Sequence, residues 1–538
     1  MTRMIATALL LTTLSTVGAA SAAPPTPTTA ARPALEAVLA EADALETYRA
    51  VAISPDGRRL AWVESVPGAD GKPSERSTIM TADVAGAAGT AGIAPKRVSA
   101  SAQRAASVER DPVWSPDGRR LAFLSDAAAA GQLDLYVFSV GEGTARPRRL
   151  TRLAGQVSEP RWSPDGRSIA LLVIEGRSAK AGPLAAVPRD SGVVGETPQE
   201  QRLAVIDAAA GPAAGAATDK PRLVSPPDLF VYEYDWAPDG RSFAATAAHG
   251  SGDDNWYVAE LYSIAADGSG ARSLWKPDVS TQIANPRISP DGRSIALIGG
   301  LMSDEGATGG DVYLVPAAGG PARDVTPGIA ASPAWLAWTG PARLLVVETV
   351  DGEAAIASLD LPASGASGSS GDDAARHTVL WRGAETIAER GNAPGIALAA
   401  DGTTSAVLRH SFRQAPELWA GPVGAWRQVT SKNGRYTPFW GEAKSLHWPS
   451  GGRDVQGWLV APPGVALATP PAGAAGADAA GRRYPLVVVV HGGPASAHRA
   501  GWPPYAGLLA SQGYLVLLPN PRGSYGAGEA FTRGNVKD

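Results

Sequence analysis

A β-propeller followed by a separate α/β unit is the fold class predicted by these 538 residues, and three observations predict it. The motif SPDGRRLAW at Ser54 recurs as SPDGRRLAF at Ser115, SPDGRSIAL at Ser163, APDGRSFAA at Ala237 and SPDGRSIAL at Ser289, with degenerate copies WTGPARLLVV at Trp338 and LAADGTTSAV at Leu398. Between successive copies falls a second element with a glycine-rich turn, at Asp134, Glu260, Asp311 and Glu417, and more loosely near Ile79, Leu203 and Ile356. The repeats stop near Thr430, and the chain from Tyr484 onward follows a strand, helix, strand pattern instead.

Each copy of the motif has a local physical meaning. Proline at the second turn position pre-sets φ, aspartate and glycine close the turn, and the arginine that follows is left in solvent. The residue before the motif is always large and apolar: Ile53, Trp114, Trp162, Trp236, Ile288, Trp338 and Leu398. A strand, a tight turn and a second strand with one buried face are therefore expected at every copy. Adding the two strands of the intervening hairpin gives a four-stranded sheet, and seven such units at spacings of 48 to 74 residues predict a seven-bladed β-propeller over 51–430. The Ala/Gly/Pro-rich stretches 175–201, 211–220 and 362–376 read as surface loops.

Upstream of the repeats, Arg3, the apolar stretch 4–17 and Ala20-Ser21-Ala22 make the three parts of a secretory signal over 1–22, cleaved near Ala22. That stretch is shorter than the ~20 apolar residues that span a bilayer, so export to the periplasm or beyond the cell is expected, with no membrane span. Residues 23–50 read as a Pro/Thr-rich linker and an amphipathic helix. In the helix Leu35, Val38, Leu39, Ala42 and Leu45 share a face, with Pro33 in the first turn. The 48 basic and 52 acidic residues balance to a net charge of −4, which gives no basis for nucleic-acid binding. Cysteine is absent, which removes disulfides, thiolate metal sites and a cysteine nucleophile.

The last unit, 431–538, opens with two predicted strands at 445–448 and 454–461, separated by the turn 449–452. A low-complexity stretch, 462–481, leads into the apolar run 486–490, which has no alternation and reads as a parallel strand buried on both faces. It ends in His491-Gly492-Gly493-Pro494, where two adjacent glycines let backbone N–H groups converge on a ligand with no Cβ in the way. A helix ending near Gln512, with Gly513 as its cap, and a buried strand over 514–518 complete one βαβ unit.

The strings HGGP at His491, GYLVLLPNPRGS at Gly513 and GEAF at Gly528 resemble the opening of the catalytic domain in the prolyl oligopeptidase family of serine peptidases, nearest to its acylaminoacyl-peptidase-like branch. The resemblance implies that 431–538 begin an α/β-hydrolase domain. It also implies that the HGGP loop supplies one oxyanion donor, at Gly492 or Gly493, with His491 lining the hole. Peptides would be the substrates, no metal or organic cofactor would be needed, and the propeller would admit peptides while excluding folded proteins. One departure is Gly526-Ala527-Gly528, where the family has Gly-Tyr-Gly. A second is that no Gly-x-Ser-x-Gly elbow occurs in the 538 residues, so the Ser-Asp-His triad is expected to lie outside them and the chain as given to be inactive alone. The serine of Gly523-Ser524-Tyr525-Gly526 follows Arg522 in a Pro-Arg-Gly turn and reads as a loop residue rather than a nucleophile. Two alternative functions are a periplasmic propeller that only binds, which the segment 484–524 disfavours, and a hydrolase of the same fold acting on esters.

Of the six histidines, His249, His377, His410 and His447 read as structural or solvent-exposed, and His498 stands close enough in sequence to share the mouth of His491. Asp253-Asp254-Asn255 reads as an acidic turn in preference to a cation site. Glu233 and Asp235 are candidates to face the propeller channel and meet a substrate's amino terminus, without the paired-glutamate motif of dipeptidyl peptidases.

Overall fold

In the computed structural model of the chain, the residues described are 33–537 apart from 69–73, 85–94, 102–106, 142–145, 177–199, 209–219, 251–252, 363–373 and 468–482. The expected signal over 1–22 lies outside them, as do most of the three Ala/Gly/Pro-rich loops and the side chains of Asp253 and Asp254.

Every Ser-Pro-Asp-Gly copy builds the same turn. At the first, Gly57 N–H donates to the Ser54 carbonyl at 2.8 Å with Gly57 at φ +69°, the Ser54 hydroxyl bonds Asp56 at 2.6 Å, and Arg59 N–H donates back to Ser54 Oγ at 2.9 Å. The same set recurs at Ser115, Ser163 and Ser289. The turns at Ser115, Ser163, Ala237 and Ser289 and the hairpin after Trp338 join the first two strands of antiparallel four-stranded sheets drawn from 109–149, 155–223, 229–275, 282–324 and 332–383. A ten-stranded sheet contains two further units of this kind, 48–98 and 386–428, joined edge to edge where Ala50 pairs with Arg390. The sheets form a propeller-like domain.

Apolar layers lie between neighbouring sheets: Leu124, Leu135 and Val137 of one pack against Val157, Ile169 and Leu171 of the next. The large residue before each turn adds a directed contact. The indole N–H of Trp162 donates to the Val113 carbonyl at 3.1 Å, that of Trp236 to Arg161 at 3.2 Å and that of Trp338 to Arg287 at 2.9 Å, each on the first strand of the preceding sheet. The second arginine of the turn also reaches its neighbour: Arg120 lies 4.5 Å from the Trp162 ring centroid and donates to the Gly166 carbonyl at 2.7 Å.

The remaining sheet is mixed. Strands Ala443–Ser450, Arg453–Val460, Leu515–Asn520 and Leu486–Val488 lie side by side in that order. The last two are parallel, Leu486 opposite Leu515, and are joined through the helix Pro504–Ser511. The expected βαβ unit is thus present, with Gly513 at φ +93° just beyond the helix end. Leu515 and Val516 are buried as their pattern predicts.

The apolar run 486–490 is not buried on both faces. Leu486, Val488 and Val490 keep 48%, 50% and 62% of their surface exposed. The reason is topological: the strand is at the sheet edge, with one neighbour among the described residues. The N-terminal helix, Leu35–Asp43, also departs from expectation, since Val38 is buried while Leu35 and Leu39 are exposed. This helix packs with the C-terminal unit: Gln512 donates to the Pro33 carbonyl at 3.3 Å, the Tyr436 hydroxyl to Ala44 at 2.7 Å, and Leu45 joins the apolar cluster of Trp440, Trp458 and Trp502. Among the described residues no helix is long and apolar enough to cross a membrane.

Candidate active site

The carboxyl end of the strand Leu486–Val488 turns into His491-Gly492-Gly493-Pro494 against the propeller-like domain. Ala495 N–H donates to Ser303 Oγ at 2.8 Å, which anchors the loop to the sheet drawn from 282–324. Around it the C-terminal unit is fastened to the starts of the propeller's first strands: Gly526 N–H to Ser332 Oγ at 3.0 Å, and Thr386 Oγ1 to the Ala500 carbonyl at 2.7 Å. A Cβ built on Gly492 would meet nothing within 4 Å, and Gly493 sits at φ +129°, a conformation other residues rarely adopt. Both glycines are exposed, and among the described residues neither N–H has an acceptor. An exposed N–H without an acceptor at the end of a parallel strand is available to a developing oxyanion.

His491 is held by two hydrogen bonds. Its Nδ1 lies 2.9 Å from the Gly492 carbonyl and its Nε2 2.9 Å from Ser524 Oγ. A carbonyl only accepts, so Nδ1 carries the proton, and in the neutral ring Nε2 accepts from the serine hydroxyl. Ser524, read from sequence as a plain loop serine, is buried and orients this ring. His498 stands beside it, ring centroids 5.2 Å apart, with Nε2 2.8 Å from the Val489 carbonyl. Burial, followed by the charge of His491, pushes His498 down to about 4. Asn520 ties the two strand ends together, accepting from His498 N–H at 2.7 Å and donating to Gln456 at 2.6 Å. Arg499, whose guanidinium burial pushes down to about 10, donates to the Asn392 carbonyl of the propeller at 2.6 Å. In the Gly526-Ala527-Gly528 region it is Tyr525 that fills the space toward the propeller, its hydroxyl donating to the Ala307 carbonyl at 2.7 Å.

The other histidines have ordinary partners. His410 accepts from Trp502 N–H at 2.8 Å and is pushed down to about 4, mainly by burial. His377 meets Glu348 at 3.1 Å, His447 meets Asp454 at 2.8 Å, and His249 meets Asp228 at 3.2 Å. Among the described residues no group of three or more His, Asp or Glu side chains is placed to hold a metal ion.

Glu233 and Asp235 lie on the propeller axis, in a charged group whose members come from non-neighbouring sheets. Arg390, in the last unit, contacts Asp111 at 3.3 Å and Glu159 more closely still. Arg161 lies 3.8 Å from Asp235, Asp235 accepts from Ile288 N–H at 3.0 Å, and Glu233 accepts from Asn285 N–H at 2.6 Å. Arg390 thus links side chains of sheet units that do not adjoin its own. Sequence reading missed Asp111, Glu159 and Arg390. The available signal was position: Asp111, Glu159 and Glu233 each stand three residues before the tryptophan that precedes a turn motif.

No protein-family model matches the chain. A probable dipeptidyl-peptidase 5 of Aspergillus terreus is 45% identical over 53 residues, which are 10% of this chain and 7% of that protein. An acylaminoacyl peptidase of Pyrococcus horikoshii superposes with a TM-score of 0.59 at 16% identity, over 91% of this chain and 67% of that one. A structure from a study of two prolyl endopeptidases gives a TM-score of 0.58 at 16% identity, over 94% and 66% respectively. At these identities the structural likeness is one of fold. The chain spans about two thirds of the solved structures it resembles, and its matched segment covers a small fraction of the curated relative. The resemblance to prolyl oligopeptidase-type peptidases seen in HGGP and PRGS is thus accompanied by a likeness of fold over 91% to 94% of the chain.

Proposed function

We propose that this chain is the propeller and oxyanion-loop portion of an exported serine peptidase of the prolyl oligopeptidase type, hydrolysing short acylaminoacyl or oligopeptide substrates. In this reading the five separate four-stranded sheets and the two units of the ten-stranded sheet are seven blades spanning 51–430, and 431–538 begin an α/β-hydrolase domain. The observation that carries the proposal is the pair of exposed, unpaired N–H groups at Gly492 and Gly493 at the carboxyl end of a parallel strand. The fold shared with an acylaminoacyl peptidase supports it. The pattern of Arg3, 4–17 and Ala20-Ser21-Ala22 supports export.

The chemistry follows from the fold class. A serine Oγ attacks the peptide carbonyl carbon while a histidine takes its proton. The negative charge that develops on the carbonyl oxygen is met by an N–H of the Gly492-Gly493 loop, and the amine leaves with the proton the histidine returns. Residues 1–538 contain no Gly-x-Ser-x-Gly, so on this proposal they turn over no acyl substrate by themselves.

The reading frame downstream of the Asp538 codon tests the assignment directly. A Gly-x-Ser-x-Gly followed by aspartate and histidine supports it, and a frame without that order overturns it. The polypeptide so encoded, assayed on chromogenic acyl-amino-acid, aminoacyl and short-ester substrates, is expected to prefer the peptide-like ones. Preference for esters would replace the peptidase reading with an esterase.

A further inference from the structure

A cavity of about 320 Å³ lies at the end of the first strands away from the C-terminal unit. Its position follows from the strands. The first strands begin at the C-terminal unit, where Ser332 and Thr386 are bonded to it, and the cavity touches their far ends at Trp338 and the turn residue Gly402. Its walls bring together Arg161, Arg287, Glu389, Trp335 and Ile396 from four different sheet units.

The charges on these walls are incompletely matched. The one hydrogen bond of the Arg287 guanidinium among the described residues goes to its neighbour's carbonyl, Pro286, at 2.9 Å, and no carboxylate comes within 4.0 Å of it. Arg161 has only long ion pairs, at 3.8 Å to Asp235 and 4.0 Å to Glu159. Burial and the charge of Arg161 hold the Arg287 guanidinium below its ordinary value. Glu389, on the same cavity, has no hydrogen bond or ion pair within 4.0 Å to a described residue, and burial raises its carboxyl above the usual range against the opposing charges of Arg390, Arg287 and Arg161. The Arg287 guanidinium and the Glu389 carboxylate feel each other's charge across the cavity without a hydrogen bond between them.

We infer that this cavity is a binding site for a small zwitterion of the peptide type, a free amino acid or a short peptide with both termini uncapped. Its carboxylate meets Arg287 with Arg161 alongside, its ammonium group meets Glu389, and its apolar side chain lies against Trp335 and Ile396. A planar guanidinium suits a carboxylate through two parallel N–H bonds. The cavity volume is at the lower end of the range for small-molecule sites, which limits the ligand to about a dipeptide. The site faces away from the Gly492-Gly493 loop, so it stands whether or not the peptidase assignment does.

Calorimetric titration of the full chain with leucyl-leucine, its N-acetyl derivative, its C-terminal amide and free leucine tests the inference. The expected result is that leucyl-leucine or leucine binds, and that each capped derivative binds at least about tenfold more weakly. Arg287→Met should lose affinity and become indifferent to the amide, and Glu389→Gln should become indifferent to acetylation. Arg287→Lys, which keeps the charge, should recover part of the binding, and unchanged near-UV circular dichroism verifies the fold of each variant. His491→Ala, at the other end of the molecule, should bind as the parent does. Equal binding of capped and uncapped peptides, no binding up to about 10 mM, or loss of binding in His491→Ala would each overturn the proposal.

Discussion

Ser524 Oγ and His491 Nε2 are 2.9 Å apart, bridging 33 residues of sequence, and the serine is buried while the histidine borders the open Gly492-Gly493 loop. The serine therefore acts on the imidazole from behind. It orients the ring, and it has no surface from which to attack a substrate.

Ser524→Ala removes this one buried hydrogen bond and is expected to cost about 0.5–1.5 kcal/mol in chemical denaturation. A fluorophosphonate probe is expected to label neither the parent chain nor the variant. Labelling of the parent that disappears in Ser524→Ala would make Ser524 a nucleophile and reverse its role.

Trp114 and Trp162 occupy the same repeat position and are equally buried, yet they differ in one bond. The Trp162 indole N–H donates to Val113 at 3.1 Å, whereas that of Trp114 is buried with no acceptor among the described residues. Substitution by phenylalanine removes a satisfied donor in one case and an unsatisfied one in the other. Trp162→Phe is expected to be about 1–2 kcal/mol more destabilising than Trp114→Phe, as read from paired urea melts. Equal costs would show that the bond between sheets contributes nothing.

Arg390 pairs with Asp111 and Glu159, which lie on sheet units that do not adjoin its own. Arg390→Met leaves Asp111 with Arg110 at 3.4 Å and Glu159 with Arg161 at 4.0 Å as the remaining cations. A loss of about 2–3 kcal/mol is expected, below the full figure for a buried pair because the Arg390 side chain is 47% exposed. A double-mutant cycle with Glu159→Gln should recover much of that loss, and strictly additive costs would refute the pairing.

Asp311 is pushed up to about 7, by burial first and then by the neighbouring carboxylates of Asp324 and Glu529, with Arg533 opposing. The sign follows from linkage. The folded chain binds this proton more tightly than the unfolded one, whose aspartate titrates near ~3.9. The stabilising contribution is complete below about pH 4 and fades as pH rises through about 7. Asp311→Asn should therefore raise the melting temperature more at pH 8 than at pH 4, with a difference on the order of 1–2 kcal/mol. A shift independent of pH would show that Asp311 titrates normally.

The turns were legible in the sequence because they are made by residues two to five positions apart. Ser54, Asp56, Gly57 and Arg59 carry all the groups their turn needs, so the repeat, the four-stranded sheets and the βαβ segment could be read directly. The HGGP loop was legible for the same reason, since adjacent glycines at a strand end restrict little and expose two donors. Tertiary structure alone decided which groups face each other across the axis. Asp111, Glu159 and Arg390 are 48 to 279 residues apart, and their meeting depends on the angle between sheets, on which local chemistry is silent. It also decided the exposure of 486–490: an apolar run records what a strand would bury, whereas burial itself depends on whether a neighbouring element is there to cover it.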